Sequence, residues 1–391
     1  MEFRRITALP PYVFTIIDSL KIEARRAGED VIDLGFGNPD LPSPDLAVEK
    51  AAEAVLNPRN HRYSSSRGIP KLRQAAADMY LRRFGVELDP DTEVINTIGA
   101  KEGYSHLMWV LLAPGDAVLV PSPTYPIHRY APLFAGADVR EVQLATGDVF
   151  IENLREAWEY SWPKPRVIVI SFPHNPTTTC VDLAFMQQVV DFAREKEVVV
   201  VHDNAYADLG FDGYLPPSIL EAEGAKDVAV ELYSMTKSFS MAGWRVAFMV
   251  GNPEVIGALA KLKSYLDYGT FQPIQVAATV TLNEAPDYPK EAQAVYQSRR
   301  DTLCDGLNRI GWPIEPPMGT MFAWAKIPEQ YSDMDSIEFA SFLVREAHVA
   351  VSPGVGFGPG GEGHVRFALI ENDQRIGQAV RNLRRTLTRL D

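Results

Sequence analysis

Short unbroken apolar runs rich in valine and isoleucine recur along the chain, separated by longer stretches with a helical hydrophobic period. Ala117-Val118-Leu119-Val120, Val167-Ile168-Val169-Ile170-Ser171, Val198 to Val201 and Val228-Ala229-Val230-Glu231-Leu232-Tyr233 are runs of the first kind. Strands buried on both faces of a parallel sheet read this way, because helices cover both sides and leave no polar face. Val31-Ile32-Asp33-Leu34 and Val94-Ile95-Asn96-Thr97 add further strands. The period of amphipathic helices runs over Val13 to Gly28, Pro44 to Leu56, Pro70 to Phe84, Glu102 to Leu112 and Pro253 to Tyr265, and proline at the first turn is a good start signal. A longer helical pattern from about Pro289 to Arg309 has the length to bridge two lobes, and Met321-Phe322-Ala323-Trp324-Ala325 with His364-Val365-Arg366-Phe367-Ala368-Leu369 returns to a smaller sheet. The pattern predicts an α/β chain with one large sheet and a second, smaller domain.

What stands at the ends of the strands narrows the chemistry. Pro121-Ser122-Pro123-Thr124-Tyr125 follows one run, Phe172-Pro173-His174-Asn175-Pro176 the next, His202-Asp203-Asn204-Ala205-Tyr206 the third and Ser234-Met235-Thr236-Lys237 the fourth. Open α/β sheets bind ligands outside the carboxyl ends of their strands, so Tyr125, Asn175, Asp203 with Tyr206, and Ser234 with Lys237 are expected to converge. Taken singly, Tyr125 is turn packing, Asn175 an X-Pro turn residue and Asp203 a helix cap. Four such coincidences along one sheet edge are a poorer explanation than a site. Lys237 stands between two hydroxyls and Arg245, a grouping that suits an aldehyde and a phosphate. Gly99-Ala100-Lys101 reads as a turn whose N–H groups at about residues 100–102 are left unpaired at a helix start, which suits an anion. Gly35-Phe36-Gly37-Asn38-Pro39-Asp40 is a turn where the backbone can approach a ligand. Arg366 interrupts an apolar strand, at a cost unless it has an anionic partner; a water-facing edge position is the alternative. Gly354 to Gly358 is no dinucleotide fingerprint, because no helix follows it.

Composition removes several classes. With 391 residues, 46% hydrophobic and 23% charged, the chain is globular and too long for one core. A net charge of −13 argues against nucleic acid or an anionic membrane as the main partner. Two cysteines, Cys180 and Cys304, make neither a disulfide framework nor a zinc spacing and fit packing roles in a reducing compartment. No signal-peptide pattern opens the chain and no apolar run is long enough for a membrane span, so a cytoplasmic protein is expected.

With these residues assembled, the chain resembles the class I/II aminotransferases of fold type I, which depend on pyridoxal 5′-phosphate (PLP), and within them the bacterial glutamate–pyruvate (alanine) aminotransferases. Leu9-Pro10-Pro11-Tyr12-Val13-Phe14, Tyr63-Ser64-Ser65-Ser66-Arg67-Gly68-Ile69-Pro70, Asn96 to Gly103, Met241-Ala242-Gly243-Trp244-Arg245, Tyr268-Gly269-Thr270-Phe271 and His364 to Asn372 carry the resemblance. It implies a mostly parallel seven-stranded sheet between helices in a large domain, with a smaller α+β domain. It also implies an arm at 1–45, a PLP-binding domain at 46–285, and an interdomain helix with the small domain at 286–391. Lys237 is then the Schiff-base lysine and Asp203 the carboxylate under the pyridinium nitrogen. Asn175 and Tyr206 contact the phenolic oxygen, and Tyr125 stacks on the ring. The backbone of Ala100 and Lys101, with Ser234, Thr236 and Arg245, surrounds the phosphate, with Tyr63, and Thr270 beside it, supplied by the second subunit of a homodimer. Gly37 and Arg366 hold the substrate α-carboxylate under Tyr12. The family usually reads Asn-Pro-Thr-Gly where this chain has Asn175-Pro176-Thr177-Thr178, which puts the shape of that loop in question.

The implied reaction is ping-pong transfer of an amino group between an L-amino acid and a 2-oxo acid. Animal-type aspartate aminotransferases supply a second arginine near the segment Tyr268-Gly269-Thr270, where no arginine stands here. Alanine with 2-oxoglutarate is therefore the expected pair, with aspartate or LL-diaminopimelate as alternatives and Lys101 or Arg129 as cations that could fold into the site. A PLP-dependent C–S lyase could use the same residues. A PLP-sensing regulator would need a DNA-binding lobe, and a dehydrogenase would need its glycine fingerprint.

Overall fold

The structure, a computed structural model, describes residue 9 and residues 13–387. Twelve strands are present among them: β1 (Ile32–Asp33), β2 (Val94–Thr97), β3 (Ala117–Ser122), β4 (Asp138–Gln143), β5 (Pro165–Ile170), β6 (Val199–Asn204), β7 (Ala229–Ser234), β8 (Ala247–Gly251), β9 (Phe322–Lys326), β10 (Val349–Ala350), β11 (Ser352–Pro353) and β12 (His364–Ala368). Seven of them form one sheet in the order β2-β8-β7-β6-β5-β3-β4. Only β8 runs antiparallel to its neighbours, so the expected mostly parallel seven-stranded sheet is present.

The unbroken apolar runs are explained by two cores, one on each face of this sheet. Ile168, Ile170 and Val200 face one core, and Val167, Val169 and Val201 face the other, as the alternation of side chains along a strand requires. A third core gathers β1, β9, β10 and β12 with the helices Tyr288–Arg309 and Asp373–Leu387. In that region β12 lies between β11 and β9 in an antiparallel three-stranded sheet, while β1 pairs parallel with β10. Arg366 thus sits on a central strand and is 5% exposed, which removes the water-facing alternative.

Two expectations are corrected, and two elements go unannounced. The helix predicted from Glu102 begins at Ala100, because Gly99, at φ 80°, turns the chain directly into it. Asp203 lies within β6, which continues to Asn204, rather than beyond the strand's end. The apolar pattern announces neither β4, an edge strand carrying Asp138, Arg140 and Glu141, nor the helix Gln272–Glu284, whose buried face is largely alanine, threonine and glutamine. No helix among the described residues is long and apolar enough to cross a membrane.

Candidate active site

A cavity of about 210 Å³ opens at the carboxyl edge of the large sheet, between it and the three-stranded sheet. Ala100, Lys101, Tyr125, Asn175, Asp203, Tyr206, Ser234, Thr236, Lys237 and Arg245 line it, joined by Gly37 and Arg366. The sheet topology makes this convergence. β4 lies outside β3 on one side and β5 on the other, so the winding reverses at β3 and leaves a crevice at the strand ends.

Asp203 is the buried acid of the site. Its Oδ2 lies 2.9 Å from His128 Nε2, and His128 Nδ1 lies 3.0 Å from Thr124 Oγ1. A carboxylate partner places the imidazole proton on Nε2, so Nδ1 accepts from the threonine hydroxyl. Asp203 Oδ1, by contrast, is buried with no hydrogen-bond partner among the described residues. A buried carboxylate oxygen left open is costly unless a donor arrives there. A protonated ring nitrogen is such a donor, and the donor set fits PLP on this ground. The strand-end reading misses His128 and Thr124. Their signal is the i,i+4 spacing across the start of the helix Pro126–Ala135.

Lys237 sits in a one-turn helix, Met235–Ser238, directly after β7, and its Nζ donates to the Gly37 carbonyl at 2.8 Å. Burial first, then the charges of Arg366 and Arg245, pulls its pKa from 10.5 to about 7. Arg366 donates to Asn175 Oδ1 at 2.7 Å, to the Gly35 carbonyl at 3.0 Å and to Ser352 Oγ at 3.3 Å. Its guanidinium lies between two rings, 3.9 Å from the centre of Phe322 and 4.6 Å from that of Phe357. Such a clamp fixes the plane of the fork before a carboxylate arrives. Gly37 is required here by space, since a Cβ on it would lie 2.6 Å from the Phe322 ring. Asn175 Nδ2 donates to the Tyr206 hydroxyl at 3.3 Å, and burial holds that phenol well above its usual range. The Tyr125 phenol is raised as well, by burial and then by Asp203.

Opposite this polar group lies a cradle for an anion. The helix Ala100–Leu111 starts with no side-chain cap, so its first N–H groups face the cavity beside Ser234 and Thr236. A side chain on Gly99 would collide with the Arg245 guanidinium, so only glycine lets the arginine close over the helix start. Glu102 does not point into the cradle. Its Oε2 accepts from the Ile98 N–H at 2.8 Å, and its Oε1 accepts from Lys263 at 2.6 Å. Burial alone would raise the Glu102 carboxyl, but hydrogen bonds from His106, Lys263 and Ile98 together hold it below its usual range. Glu102, His106 and Asp267 form a grouping of three possible metal ligands, and the Lys263 ammonium already lies among them.

The loop at Asn175 has Thr178 at the position where the glycine was expected. Thr178 adopts φ 61°, a left-handed conformation that strains a β-branched residue. Surrounding bonds hold it there: its N–H donates to the His174 carbonyl at 2.8 Å, and Thr177 Oγ1 lies 2.8 Å from His174 Nδ1 and 2.7 Å from Thr179 Oγ1. Two other expected residues stand apart from this chain's own cavity. Tyr63 is 83% exposed and packs against Tyr268 with the ring centres 4.4 Å apart, and Thr270 is buried in the loop beyond. Arg129 is paired with Glu141, and Tyr12 lies outside the described residues.

The sequence pattern of the family described as aminotransferase class I and II matches residues 29–383. The chain belongs to the class I and II aminotransferases. It is 52% identical over 383 residues to the glutamate-pyruvate aminotransferase AlaC of Escherichia coli, covering 98% of this chain and 93% of that one. It is 42% identical over 390 residues to the LL-diaminopimelate aminotransferase of Desulforudis audaxviator, covering 100% of this chain and 99% of the relative. Among solved structures, a double mutant of the Thermus thermophilus aspartate aminotransferase superposes with a TM-score of 0.91 at 28% identity, over 99% of each chain. The protein is thus an aminotransferase of fold type I, and members of this family depend in general on PLP. Its substrates are amino and oxo acids.

Proposed function

We propose that this aminotransferase binds PLP through Lys237 and transfers the amino group of L-alanine to 2-oxoglutarate. The observation that carries the cofactor assignment is the buried, open Asp203 Oδ1 in the same cavity as a lysine whose pKa is pulled to about 7. When bound, PLP supplies an electron sink for the carbanion left at the substrate Cα. Asp203, held by His128, would keep the pyridine nitrogen protonated. Arg366 takes the substrate α-carboxylate as a planar fork, with Phe322 and Phe357 excluding water around it. Lys237 Nζ, freed once the substrate amine replaces it on the cofactor, would be the base that takes up the Cα proton and delivers it to the cofactor carbon that had carried the lysine. Asn175 and Tyr206 would hold the phenolic oxygen, Tyr125 would cover the ring, and Ser234, Thr236, Arg245 and the Ala100–Lys101 backbone would receive the phosphate.

The choice of alanine rests on the cations of the cavity. Arg366 serves the α-carboxylate and Arg245 the anion cradle, which leaves Lys101, over the Tyr125 ring at 5.8 Å, for a distal carboxylate. A flexible point charge at the mouth tolerates a methyl side chain and still receives 2-oxoglutarate, whereas a second fixed fork would select for aspartate. The similarity to a glutamate-pyruvate aminotransferase supports this pair. We further propose a two-lobed chain divided near residues 45 and 285, working in the cytoplasm as a homodimer. The exposed Tyr63, Tyr265, Tyr268 and Phe271 support such an interface, across which Tyr63 and Thr270 reach the partner's site.

Steady-state kcat/KM for alanine, aspartate and LL-diaminopimelate, each with 2-oxoglutarate, tests the substrate assignment. Alanine is expected to lead. A lead of about tenfold for either rival, roughly 1.4 kcal/mol of transition-state discrimination, overturns it while leaving the transaminase reading in place.

A further inference from the structure

Lys263 has no exposed surface, although it lies on the helix Pro253–Leu266 outside the cavity. Its Nζ donates to Glu102 Oε1 at 2.6 Å and to Asp267 Oδ2 at 2.9 Å. Each of these carboxylates uses its other oxygen to hold a backbone N–H: Glu102 that of Ile98 at 2.8 Å, and Asp267 that of Gly269 at 2.6 Å. His106 Nδ1 adds a contact to Glu102 Oε1 at 2.7 Å. One arm of this relay therefore ends on the turn that opens the anion cradle. The other ends in the loop 267–270, where Tyr268 packs against Tyr63 and a Cβ on Gly269 would lie 2.6 Å from the Ser65 carbonyl. A dry ammonium needs carboxylate charge beside it, so Lys263 ties both arms to one buried centre.

We infer that Lys263 is a positioning residue that fixes the anion cradle and the loop 267–270 as one unit, so that a phosphate group bound in the cradle stiffens the loop carrying Tyr268, Thr270 and the packed Tyr63 segment. The inference rests on the reading of residues 98–102 as the phosphate cradle of a PLP enzyme. It adds to that reading a link between a protomer's own cradle and the surface proposed to complete its partner's site.

Amide hydrogen exchange of the full-length protein, with and without PLP, tests it on peptides spanning 96–104 and 264–272, alongside an absorbance titration of the cofactor-free protein with PLP. In the wild type, PLP slows exchange in both peptides. In Lys263→Met, PLP affinity falls about tenfold, the loss of one charge-assisted anchor, and 264–272 no longer responds. Asp267→Asn cuts only the loop arm and keeps the test open if Lys263→Met does not fold. Its PLP affinity stays within about twofold of wild type, 96–104 still responds and 264–272 does not. A merely structural lysine would raise exchange in 264–272 equally with and without PLP, and undiminished protection of 264–272 in both variants overturns the inference. Failure of the wild type to bind PLP would instead defeat the proposed function, and inorganic phosphate then serves as the cradle's probe in the same exchange measurement.

Discussion

Two carboxylate–histidine pairs lie side by side in the large sheet, on opposite faces. On one, Glu231 of β7 lies 2.8 Å from His202 Nδ1 and also accepts from the Tyr80 and Ser218 hydroxyls at 2.7 and 2.8 Å and the Ile219 N–H at 2.9 Å. Both of its oxygens are in use. On the other, Asp203 of β6 has His128 at 2.9 Å on one oxygen and nothing among the described residues on the second. Burial and a histidine are common to the two pairs, so neither distinguishes structure from function. The distinction lies in the oxygen left open, and in its position on the cavity rather than in a core. A structural carboxylate is satisfied from within the fold; the Asp203 carboxylate keeps one oxygen open to the cavity.

Substituting the two acids should therefore have opposite consequences. Asp203→Asn keeps an oxygen for His128 but cannot hold a ring proton, so kcat is expected to fall by about 10²–10³, the scale of a lost electrostatic stabiliser. Its melting temperature should stay within about 3 °C of wild type. Near-normal turnover would remove Asp203 from the chemistry. Glu231→Ala strands four buried groups at once and should cost about 3–5 kcal/mol of stability, measured by urea unfolding. A loss below about 1 kcal/mol would show that its network is slack.

The functional face should also carry the groups that burden the fold. Lys237 has its pKa lowered from 10.5 to about 7, so the folded, cofactor-free protein binds fewer protons here than the unfolded chain between those values. Stability attributable to Lys237 is greatest above pH 10.5, falls as the pH drops toward 7 and is level below it. Lys237→Met should accordingly stabilise the cofactor-free protein by about 2 kcal/mol at pH 7, with the gain shrinking toward pH 10. A gain independent of pH would mean that the lysine is not poised as described. The smallest effect belongs to Thr178, whose left-handed φ of 61° holds the loop beside Asn175. Thr178→Gly should relieve about 1 kcal/mol of backbone strain and raise the melting temperature by about 2 °C. A fall instead would mean that the freedom glycine adds to the unfolded chain outweighs the strain.

Where the chain places chemistry at the end of an apolar run, its sequence is readable. Lys237, Asp203, Asn175 and Tyr125 could be placed on one sheet edge because hydrophobic runs mark strands and parallel strands end on the same side. Arg366 was legible as an anomaly within a strand, although only the three-stranded sheet shows that it is central and clamped by Phe322 and Phe357. Those rings are contributed from β9 and from the turn after β11, distant in sequence, and no local pattern announces them. His128 carries a faint local mark, its spacing from Thr124, which gains meaning only once Asp203 is seen across the cavity. β4 escaped because edge strands carry charge to resist pairing, and the helix Gln272–Glu284 because small and polar residues pack its buried face.

The central claim is that this cavity is a PLP site anchored by Lys237, and the most direct test is chemical. The purified protein is incubated with PLP, reduced with borohydride, digested and mapped by mass spectrometry. A single cofactor label on the peptide carrying Lys237, absent in Lys237→Met, is the expected result. A stoichiometric label on another lysine, such as Lys101 or Lys263, with Lys237 unmodified, would contradict it.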